Sequence, residues 1–327
     1  MSKGEKNRRK LSARTLHLRI SRSEVIMSTP KRQAKIKHIL CPTDLSLKSQ
    51  MALGYAARLA ESLNASLTAC HCAPARWFSS ENHLPPEEMA EVKTAILERI
   101  ERNSDQANCL QRRVSIVENS FDPARDILNL AAETDVDLIV MKARAGGLSA
   151  FRFGSIVERV VSRAKCPVLL IPSRFLVDRD QFPSDLGIRR ILFDYDFSAA
   201  TDTLFGVANT LARDFAAELH LLTVLASPIS GTELAAVRGS RTAMQTAIRG
   251  KLNEVLQSEG KSIMTVPTAV EWGNHAEAVL RYAGAHQIDL ICTTLPPPHF
   301  YVETLYRAYL GNLLKSSRCP ILVEQTF

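Results

Sequence analysis

The sequence predicts an α/β protein built from two tandem doubly wound domains, each with a parallel five-stranded sheet covered by helices on both faces. Short apolar runs of strand length alternate with longer segments whose apolar residues recur at helical spacing. The short runs lack an apolar/polar alternation, which is typical of parallel strands buried on both faces. The pattern ILCPTDLS at residues 39–46 returns as ILFDYDFS at residues 191–198. Recurrence at this distance indicates a duplicated domain.

The strands and helices of the first domain follow in order along the chain. We predict strands at residues 36–42, 66–72, 114–117, 137–141 and 167–172. We predict helices over residues 49–63, 123–134 and 155–165, and from Pro85 onward. Ser46 or Ser49 is the expected N-cap of the first helix. Prolines followed by two glutamates after residue 84 are typical of a first helical turn.

The repeat predicts how the chain is divided. An offset of 152 residues also pairs Gly54 with Gly206 and residues 136–139 with 288–291, and residues 166–170 return at 319–323, one position out of step. A register held over more than a hundred positions is not expected by chance. We therefore predict a basic flexible N-terminal arm (1–35), a first domain (36–173), a polar linker (174–187) and a second domain (188–327).

The positive charge of the chain is concentrated in the arm. The chain has 41 basic and 34 acidic residues, a net charge of +7. Residues 1–37 contain twelve of the basic and two of the acidic residues, so the remainder carries −3. Three interpretations of the arm are open: a start codon placed ahead of the true one, since Met27 follows; an organelle transit peptide; or an anion-binding tail. We favour the first, because the arm has no aromatic residues, and we expect nucleic-acid binding only through this arm.

Hydropathy and cysteine usage indicate a cytoplasmic protein. No apolar run approaches the roughly 18 residues of a membrane span, so we expect no membrane partner. Seven cysteines, an odd number, lie mostly in apolar segments, and the chain shows no secretory signal. This pattern is typical of buried thiols in a reducing compartment.

Five motifs in the predicted order resemble the universal stress protein (UspA) family. They are the strand end Pro42-x-Asp44-x-Ser46, the strand at residues 137–140, the pair Gly146 and Gly147, the pair Gly154 and Ser155, and the segment at residues 166–169. The resemblance covers both domains. It implies the strand order 3-2-1-4-5 in each domain. It also implies pairing of domains through their last strands, within the chain or in a homodimer, and, in many members, adenine-nucleotide binding.

The family's nucleotide motif, G-x2-G-x9-G-[ST], is only partly present in the first domain. Gly154 and Ser155 match its end, whereas Met141 and Arg144 stand where the two earlier glycines are expected. Glycines in this motif let backbone N–H groups approach phosphate oxygens. We predict a degenerate nucleotide or anion site, with ATP or another adenine nucleotide as the candidate ligand. Its expected residues are Pro42, Asp44, Arg144, Gly146, Gly147, Gly154 and Ser155.

Two of these residues have a structural interpretation beside the functional one. Asp44 is either an acceptor for ligand or the acceptor of a turn or cap between strand and helix. Ser155 either binds phosphate or caps its own helix. For Asp196, the counterpart of Asp44, we favour the cap. Lys142 and Arg152 make the loop region of the first domain basic.

The second domain is predicted to have lost the site. No glycine occurs between Gly284 and Gly311, and prolines at residues 296–298 remove three backbone donors. Asn312 stands where the motif requires a hydroxyl. We therefore expect the second domain to be a structural or dimerising copy.

The remaining candidates predict neither a catalytic residue nor a metal site. Cys70 and Cys72 lie two positions apart on a strand, so they face one way and His71 the other. The sequence offers no second pair at zinc spacing. The sequence contains no serine or cysteine nucleophile motif for which His275 could act as the base.

Two functions remain open. The first is a non-catalytic stress-response protein that acts through domain pairing and protein partners, with at most a regulatory ligand in the first domain. The alternative is an adenine-nucleotide binding protein or slow ATP hydrolase. Asp44, Gly154 and Ser155 support the alternative, whereas Met141 and the three prolines oppose it.

Overall fold

A computed structural model describes ten stretches of the chain. They are residues 35–74, 85–104, 111–143, 155–176, 182–197, 201–225, 242–243, 245–252, 267–295 and 300–325. The arm predicted at residues 1–35 lies outside the described residues except for Lys35. The predicted boundaries of the two domains stay a prediction, and we refer below to the first and second halves of the chain.

The described residues of the first half form five strands and four helices. In chain order they are β1 (His38–Thr43), α1 (Leu47–Leu63), β2 (Ser66–Pro74), α2 (Pro86–Arg102), β3 (Arg112–Ser120), α3 (Pro123–Glu133), β4 (Leu138–Ala143), α4 (Ser155–Val161) and β5 (Val168–Pro172). Ser46 is the N-cap of α1, and its side chain accepts a hydrogen bond from the backbone N–H of Ser49. Of the two candidate caps, Ser46 is therefore the one observed.

The second half repeats this alternation. Its elements are β6 (Arg190–Asp194), α5 (Thr201–Asp214), β7 (Glu218–Leu225), β8 (Thr268–Trp272), α6 (His275–Ala285), β9 (Leu290–Leu295), α7 (Phe300–Ser316) and β10 (Ile321–Gln325). Residues 245–252 are also helical. None of the helices in the described part of the chain is long and apolar enough to cross a membrane.

The ten strands form one sheet, in the order β3-β2-β1-β4-β5-β10-β9-β6-β7-β8. Each half therefore has the order 3-2-1-4-5, as expected. The two predicted five-stranded sheets are joined into one, because β5 and β10 pair antiparallel, with Leu170 opposite Ile321. The pairing through the last strands is thus made within the chain. The described neighbours inside each half pair in parallel, as for β1 with β2 and β4.

Both faces of the sheet are buried by apolar side chains. On one face, Ile39 and Ile191 belong to a core covered by α1, α2 and α5. On the other, Leu40 and Leu192 belong to a core covered by α3, α4, α6 and α7. Adjacent strand residues thus enter opposite cores, which explains why the strands read as continuous apolar runs.

Residues with an unusual backbone conformation, a positive φ, occur at matching positions in the two halves. Six described residues other than glycine have a positive φ, between 48° and 61°. They fall into three pairs, each 152 residues apart: Leu45 and Phe197, Asn64 and Ala216, and Asp135 and Gln287. A left-handed conformation costs a non-glycine residue roughly 1–2 kcal/mol. Its retention at matching positions shows that both halves keep the same chain path between strand and helix.

In each half, one aspartate before the fourth strand accepts hydrogen bonds from the start of the central strand. Oδ2 of Asp137 accepts hydrogen bonds from the backbone N–H groups of Lys37 (2.8 Å) and His38 (2.9 Å). Asp289, 152 residues later, accepts from Arg189 and Arg190, both at 2.9 Å. The bonds connect the start of the central strand to the segment before the fourth strand of each half.

The linker is less polar in its contacts than the sequence indicates. Phe175 and Phe182 lie on either side of its undescribed residues, and both pack edge-on against the ring of Tyr55 on α1, at 5.7 and 5.3 Å between centroids. The backbone carbonyl of Phe182 also accepts from Nε of Arg58 at 3.2 Å. The described ends of the linker are therefore anchored on the first half by aromatic packing.

Candidate functional site

A cavity of about 390 Å³ opens at the carboxyl ends of β1 and β4 in the first half. Its walls come from β1, β2, β4, α3 and α4 and from the turn after β1. In a doubly wound sheet, the ends of the first and fourth strands flank the point where the strand order reverses, which is where ligands bind. The cavity thus lies at the position that the topology favours.

Asp44 and Lys142 line the polar rim of the cavity, and the adjacent Ser46 hydrogen-bonds both. Nζ of Lys142 donates to Oδ2 of Asp44 at 2.9 Å and to Oγ of Ser46 at 3.0 Å. The backbone N–H of Ser46 donates to Oδ1 of Asp44 at 3.1 Å, which closes a turn two residues long. These bonds link the end of β1 to the end of β4 across the mouth of the cavity.

The Asp44 carboxylate is held ionised. Partial burial opposes its ionisation, but hydrogen bonds from Ser46, Ser49 and Lys142 outweigh that effect and hold the pKa of Asp44 well below its usual range. Its side chain is still 62% exposed, whereas that of Lys142 is 20% exposed. The turn interpretation of Asp44 is therefore observed, and the carboxylate remains accessible from the cavity.

The ammonium group of Lys142 has more N–H donors than it has hydrogen-bond acceptors among the described residues. A lysine has three N–H groups, and Asp44 and Ser46 accept from two of them in the described part of the chain. The third can be donated to a ligand oxygen. Position 142 lies on β4, whose pairing with β5 places Lys142 opposite Ile171 and fixes its backbone.

The inner wall of the cavity is apolar. Met141, Ile127 and Val157 line it and are buried. Pro42, in the central strand, forms the wall between β2 and β4. An apolar interior with a few polar groups at its rim is the usual composition of a small-molecule site, and its volume lies within the roughly 300–1,000 Å³ of such sites.

Two thiols form the floor of the cavity on β2. Cys70 is fully buried and Cys72 is half-buried, and their Sγ atoms are 4.0 Å apart. The hydrogen bond from Cys72, together with burial, raises the pKa of Cys70, and the same contact lowers the pKa of Cys72. Nδ1 of His71 instead hydrogen-bonds the carbonyl oxygen of Thr43 at 2.9 Å. The prediction that the cysteines and the histidine face opposite ways is thus confirmed.

Three predicted site residues line this cavity together: Pro42, Asp44 and Ser155. Arg144, Gly146, Gly147 and Gly154, and also Arg152, lie outside the described residues. Their assignment to a binding site stays a prediction, as does that of the three described residues. Ser155 is exposed at the described start of α4.

At the equivalent positions, the described residues of the second half form a cluster of polar side chains. The carboxylate of Asp194, at the end of β6, is buried, with 4% of its side chain exposed. Nε2 of His275 lies 2.9 and 2.8 Å from its two oxygens. Tyr309 donates its hydroxyl to Oδ2 at 2.7 Å, and Thr293 donates to the same oxygen at 3.1 Å. We call these four residues the Asp194 cluster.

Each member of the Asp194 cluster replaces a residue that lines the first-half cavity. At the offset of 152, Asp194, His275 and Thr293 correspond to Pro42, Pro123 and Met141. Near the chain end the offset is 153, and Tyr309 corresponds to Ile156. Four apolar residues around an open space have thus become four polar residues that hydrogen-bond one another.

The charge of the cluster favours a protonated histidine. Burial opposes protonation of His275, but the hydrogen bond that its ring donates to Asp194 and the charges of Asp194 and Asp196 outweigh it and raise the pKa of His275. The ring of His275 also packs against that of Tyr309, at 4.8 Å between centroids. Sequence reasoning set His275 aside and missed the cluster. The simultaneous appearance of polar residues at three positions of the repeat was the signal that could have found it.

Two further features separate the second half from the first. Gly311 and Asn312 lie inside α7, so the expectation that they correspond to the end of the nucleotide motif is wrong. The residue that aligns with Ser155 is Ala308. Asp196 accepts a hydrogen bond from the Thr201 hydroxyl at the start of α5, and its capping role stays a prediction.

Comparison with known proteins gives the same assignment for both halves. A family model described as "Universal stress protein family" matches residues 35–172 and again residues 187–323. The chain belongs to the universal stress protein family. It is a tandem member, since the two matches follow one another in a single chain.

Individual relatives match one half of this tandem member. The universal stress protein YxiE of Bacillus subtilis is 29% identical over 143 residues, which are 41% of this chain and 97% of that protein. A universal stress protein of Methanocaldococcus jannaschii is 29% identical over 141 residues, 41% of this chain and 81% of that protein.

Solved structures of similar length match both halves. A universal stress protein from Archaeoglobus fulgidus has a TM-score of 0.62 at 19% identity, covering 89% of this chain and 97% of that one. A protein described as a putative universal stress protein from Pseudomonas aeruginosa has a TM-score of 0.57 at 14% identity, covering 90% and 94%. At these identities the likeness shows the tandem fold.

Proposed function

We propose that this universal stress protein is a non-catalytic stress-response protein whose first half binds an adenine nucleotide as a regulatory ligand. Its second half supports the first by strand pairing, and the joined halves present the surface to protein partners. The observation that carries the proposal is the cavity between β1 and β4, with Asp44 and Lys142 at its rim.

The chemistry of the cavity suits the two ends of a nucleotide. Its apolar wall, which includes Met141 and Val157, can cover the faces of a purine. The exposed oxygens of Asp44 can accept hydrogen bonds from the exocyclic amine or the ribose hydroxyls. The third N–H of Lys142 can be donated to a phosphate oxygen. Each of these groups is already held in place by strand pairing or by hydrogen bonds.

The side chains of the second half favour a stoichiometry of one nucleotide per chain. Thr294 stands where Lys142 stands in the first half, and the space between β6 and β9 is occupied by the Asp194 cluster. A nucleotide entering there would have to displace hydrogen bonds to a buried carboxylate. We therefore propose one bound nucleotide per chain and a second half that acts through its fold.

Equilibrium binding of a fluorescent ATP analogue to the purified full chain tests the proposal. We expect one site per chain and at least a tenfold loss of affinity in Asp44→Ala and in Lys142→Ala, about 1.4 kcal/mol at 25 °C. Asp196→Ala is the matched control, because it removes the equivalent carboxylate of the second half. Equal affinity in all four proteins, or two sites per chain, would contradict the proposal.

The same samples distinguish a regulatory ligand from a substrate. After incubation with ATP, the nucleotide recovered from the protein is identified by mass spectrometry. We expect ATP to be recovered unchanged. ADP formed at a rate that falls in Lys142→Ala but not in Asp196→Ala would identify a slow hydrolase instead.

A further inference from the structure

The Cys70 and Cys72 thiols are an unused chemical feature of the first-half cavity. Both line it, and their sulfur atoms are 4.0 Å apart. The nucleotide proposal assigns them no role beyond forming the floor. Two thiols that face one another inside a cavity with an open mouth are uncommon in a protein core, where a cysteine usually packs as a small apolar residue.

The backbone holds the two thiols at a fixed separation. β2 pairs in parallel with β1 on one side and β3 on the other, so that Cys70 lies opposite Pro42 and Ser115. Alternate residues of a strand face the same side, which brings both thiols to the cavity. Pairing on both sides of Cys70 limits how far the strand can bend there, although the register with β3 shifts after Cys72.

The two sulfur atoms are not within bonding distance, and their separation suits a shared metal ion. Residues two apart on a strand have Cα atoms about 6.6 Å apart, near the upper limit of about 6.8 Å for a bridged pair. A sulfur–sulfur bond of about 2.05 Å would require the thiols to approach by roughly 2 Å. Two sulfur atoms 4.0 Å apart can both reach one ion at metal–sulfur distances of about 2.3 Å.

We propose that Cys70 and Cys72 bind one soft, thiophilic cation of the copper(I) class at the floor of the cavity. Thiolate ligands select copper(I), zinc and iron–sulfur clusters over harder ions. Zinc requires about four ligands in a closed site, and the described residues contain no group of three or more histidine, cysteine, aspartate or glutamate side chains that could hold a metal. A pair of thiols therefore fits an ion that accepts two sulfur ligands.

The remaining environment also suits a soft monovalent ion. Met141, whose thioether is a soft donor, lines the same cavity from β4. Binding converts two thiols and one monovalent cation into a dithiolate complex of charge −1 and releases two protons. No oxidation or reduction is required.

The second half again provides a natural comparison. At the offset of 152, Leu222 and Val224 replace Cys70 and Cys72 on β7. Both are apolar and offer no ligand atom. The proposal therefore predicts one copper(I) ion per chain, bound in the first half.

The test is an anaerobic copper(I) titration of the full chain in competition with a chromophoric copper(I) chelator, without nucleotide. We expect one ion per chain. Cys72→Ser and Cys70→Ser should each lower the affinity more than about 100-fold, beyond the 10–100-fold that loss of a ligand's hydrogen-bond partner costs. Cys166→Ser is the matched control, because Cys166 is a half-buried free thiol that does not line this cavity.

Two further measurements keep the result interpretable. Circular dichroism verifies that each variant is folded, and Cys72→Ser, at a half-buried position, is the safer of the two. Lys142→Ala, which should lose nucleotide, is expected to keep copper(I) binding within about tenfold, so the two proposals can fail separately. Unchanged copper(I) affinity in both cysteine variants, or tighter binding of zinc than of copper(I) by the same thiols, would overturn the proposal.

Discussion

The first and second halves share a backbone but differ in how they use the space at the switch point of the sheet. Both have the same strand order, left-handed residues at the same three positions, and an aspartate just before the fourth strand. The first half has a cavity there, whereas at the equivalent positions of the second half the described residues form the Asp194 cluster. A duplicated fold can thus keep its chain path while a few side chains decide whether a site exists.

The difference follows from the cost of burying a carboxylate. Asp194 occupies the position of Pro42, and at 4% exposure its charge is stable only if hydrogen-bonded. His275, Thr293 and Tyr309 supply the donors, and their side chains close the space. In the first half, Asp44 has its charge at the rim, where solvent supplies much of its stabilisation.

The largest expected effect is on the free energy of unfolding, and it should differ between Asp194 in the second half and Asp44 in the first. Asp194→Ala removes the acceptor that His275, Thr293 and Tyr309 share, and we expect the free energy of unfolding to fall by about 3–5 kcal/mol. Asp44→Ala, at an exposed position, should change it by less than about 1 kcal/mol. Urea denaturation of both variants tests the difference. Equal losses in the two variants would show that the cluster is not a stabilising core.

A second comparison uses the paired glycines of α1 and α5. A Cβ added at Gly54 would lie 2.8 Å from Cγ of Asn103, whose amide is bound to Arg99 O and Phe182 N. A Cβ added at Gly206 meets no atom within 4 Å. We expect Gly54→Ala to destabilise the protein by about 1–3 kcal/mol through overpacking.

Gly206→Ala is the matched control for that substitution. We expect it to stabilise the protein by up to about 1 kcal/mol, because alanine is the better helix former. Chemical denaturation of the two variants against the wild type measures both effects. The expectation fails if both substitutions shift the midpoint in the same direction.

The smallest expected effect concerns pH and the charge on His275. Its pKa is raised in the folded protein, so its contribution to stability is fully present below its ordinary pKa of 6.5 and is lost as the pH rises through the raised value. His275→Gln keeps a donor for Asp194 but does not titrate. We expect the stability advantage of the wild type over this variant to be largest below pH 6.5 and to shrink above it. A gap that is constant from pH 5 to pH 9 would contradict the assigned charge.

The sequence alone was sufficient for most of the fold. Apolar runs without alternation predicted parallel strands buried on both faces, and the offset of 152 residues predicted two equivalent halves. The position of Asp44 after β1 followed from the same pattern. These features depend on local sequence, because neighbouring residues determine strand burial and turn geometry.

The candidate site was only partly predictable for a physical reason. Asp44 and Lys142 are 98 positions apart, and only the pairing of β1 with β4 brings them within 2.9 Å. The Asp194 cluster joins residues up to 115 positions apart. A motif search reads neighbours along the chain, so it could identify Asp44 but could not show that Asp194 and Tyr309 share a hydrogen bond.

What the sequence by itself determined, then, is the family-like order of elements, the duplication and the aspartate at each first strand end. Only the tertiary structure decided that the last strands, β5 and β10, pair within the chain, that the first half has a cavity and that two thiols form its floor. The physical reason is that strand propensity and capping act over a few residues. Cavities and buried charge clusters depend on which distant side chains the sheet brings together.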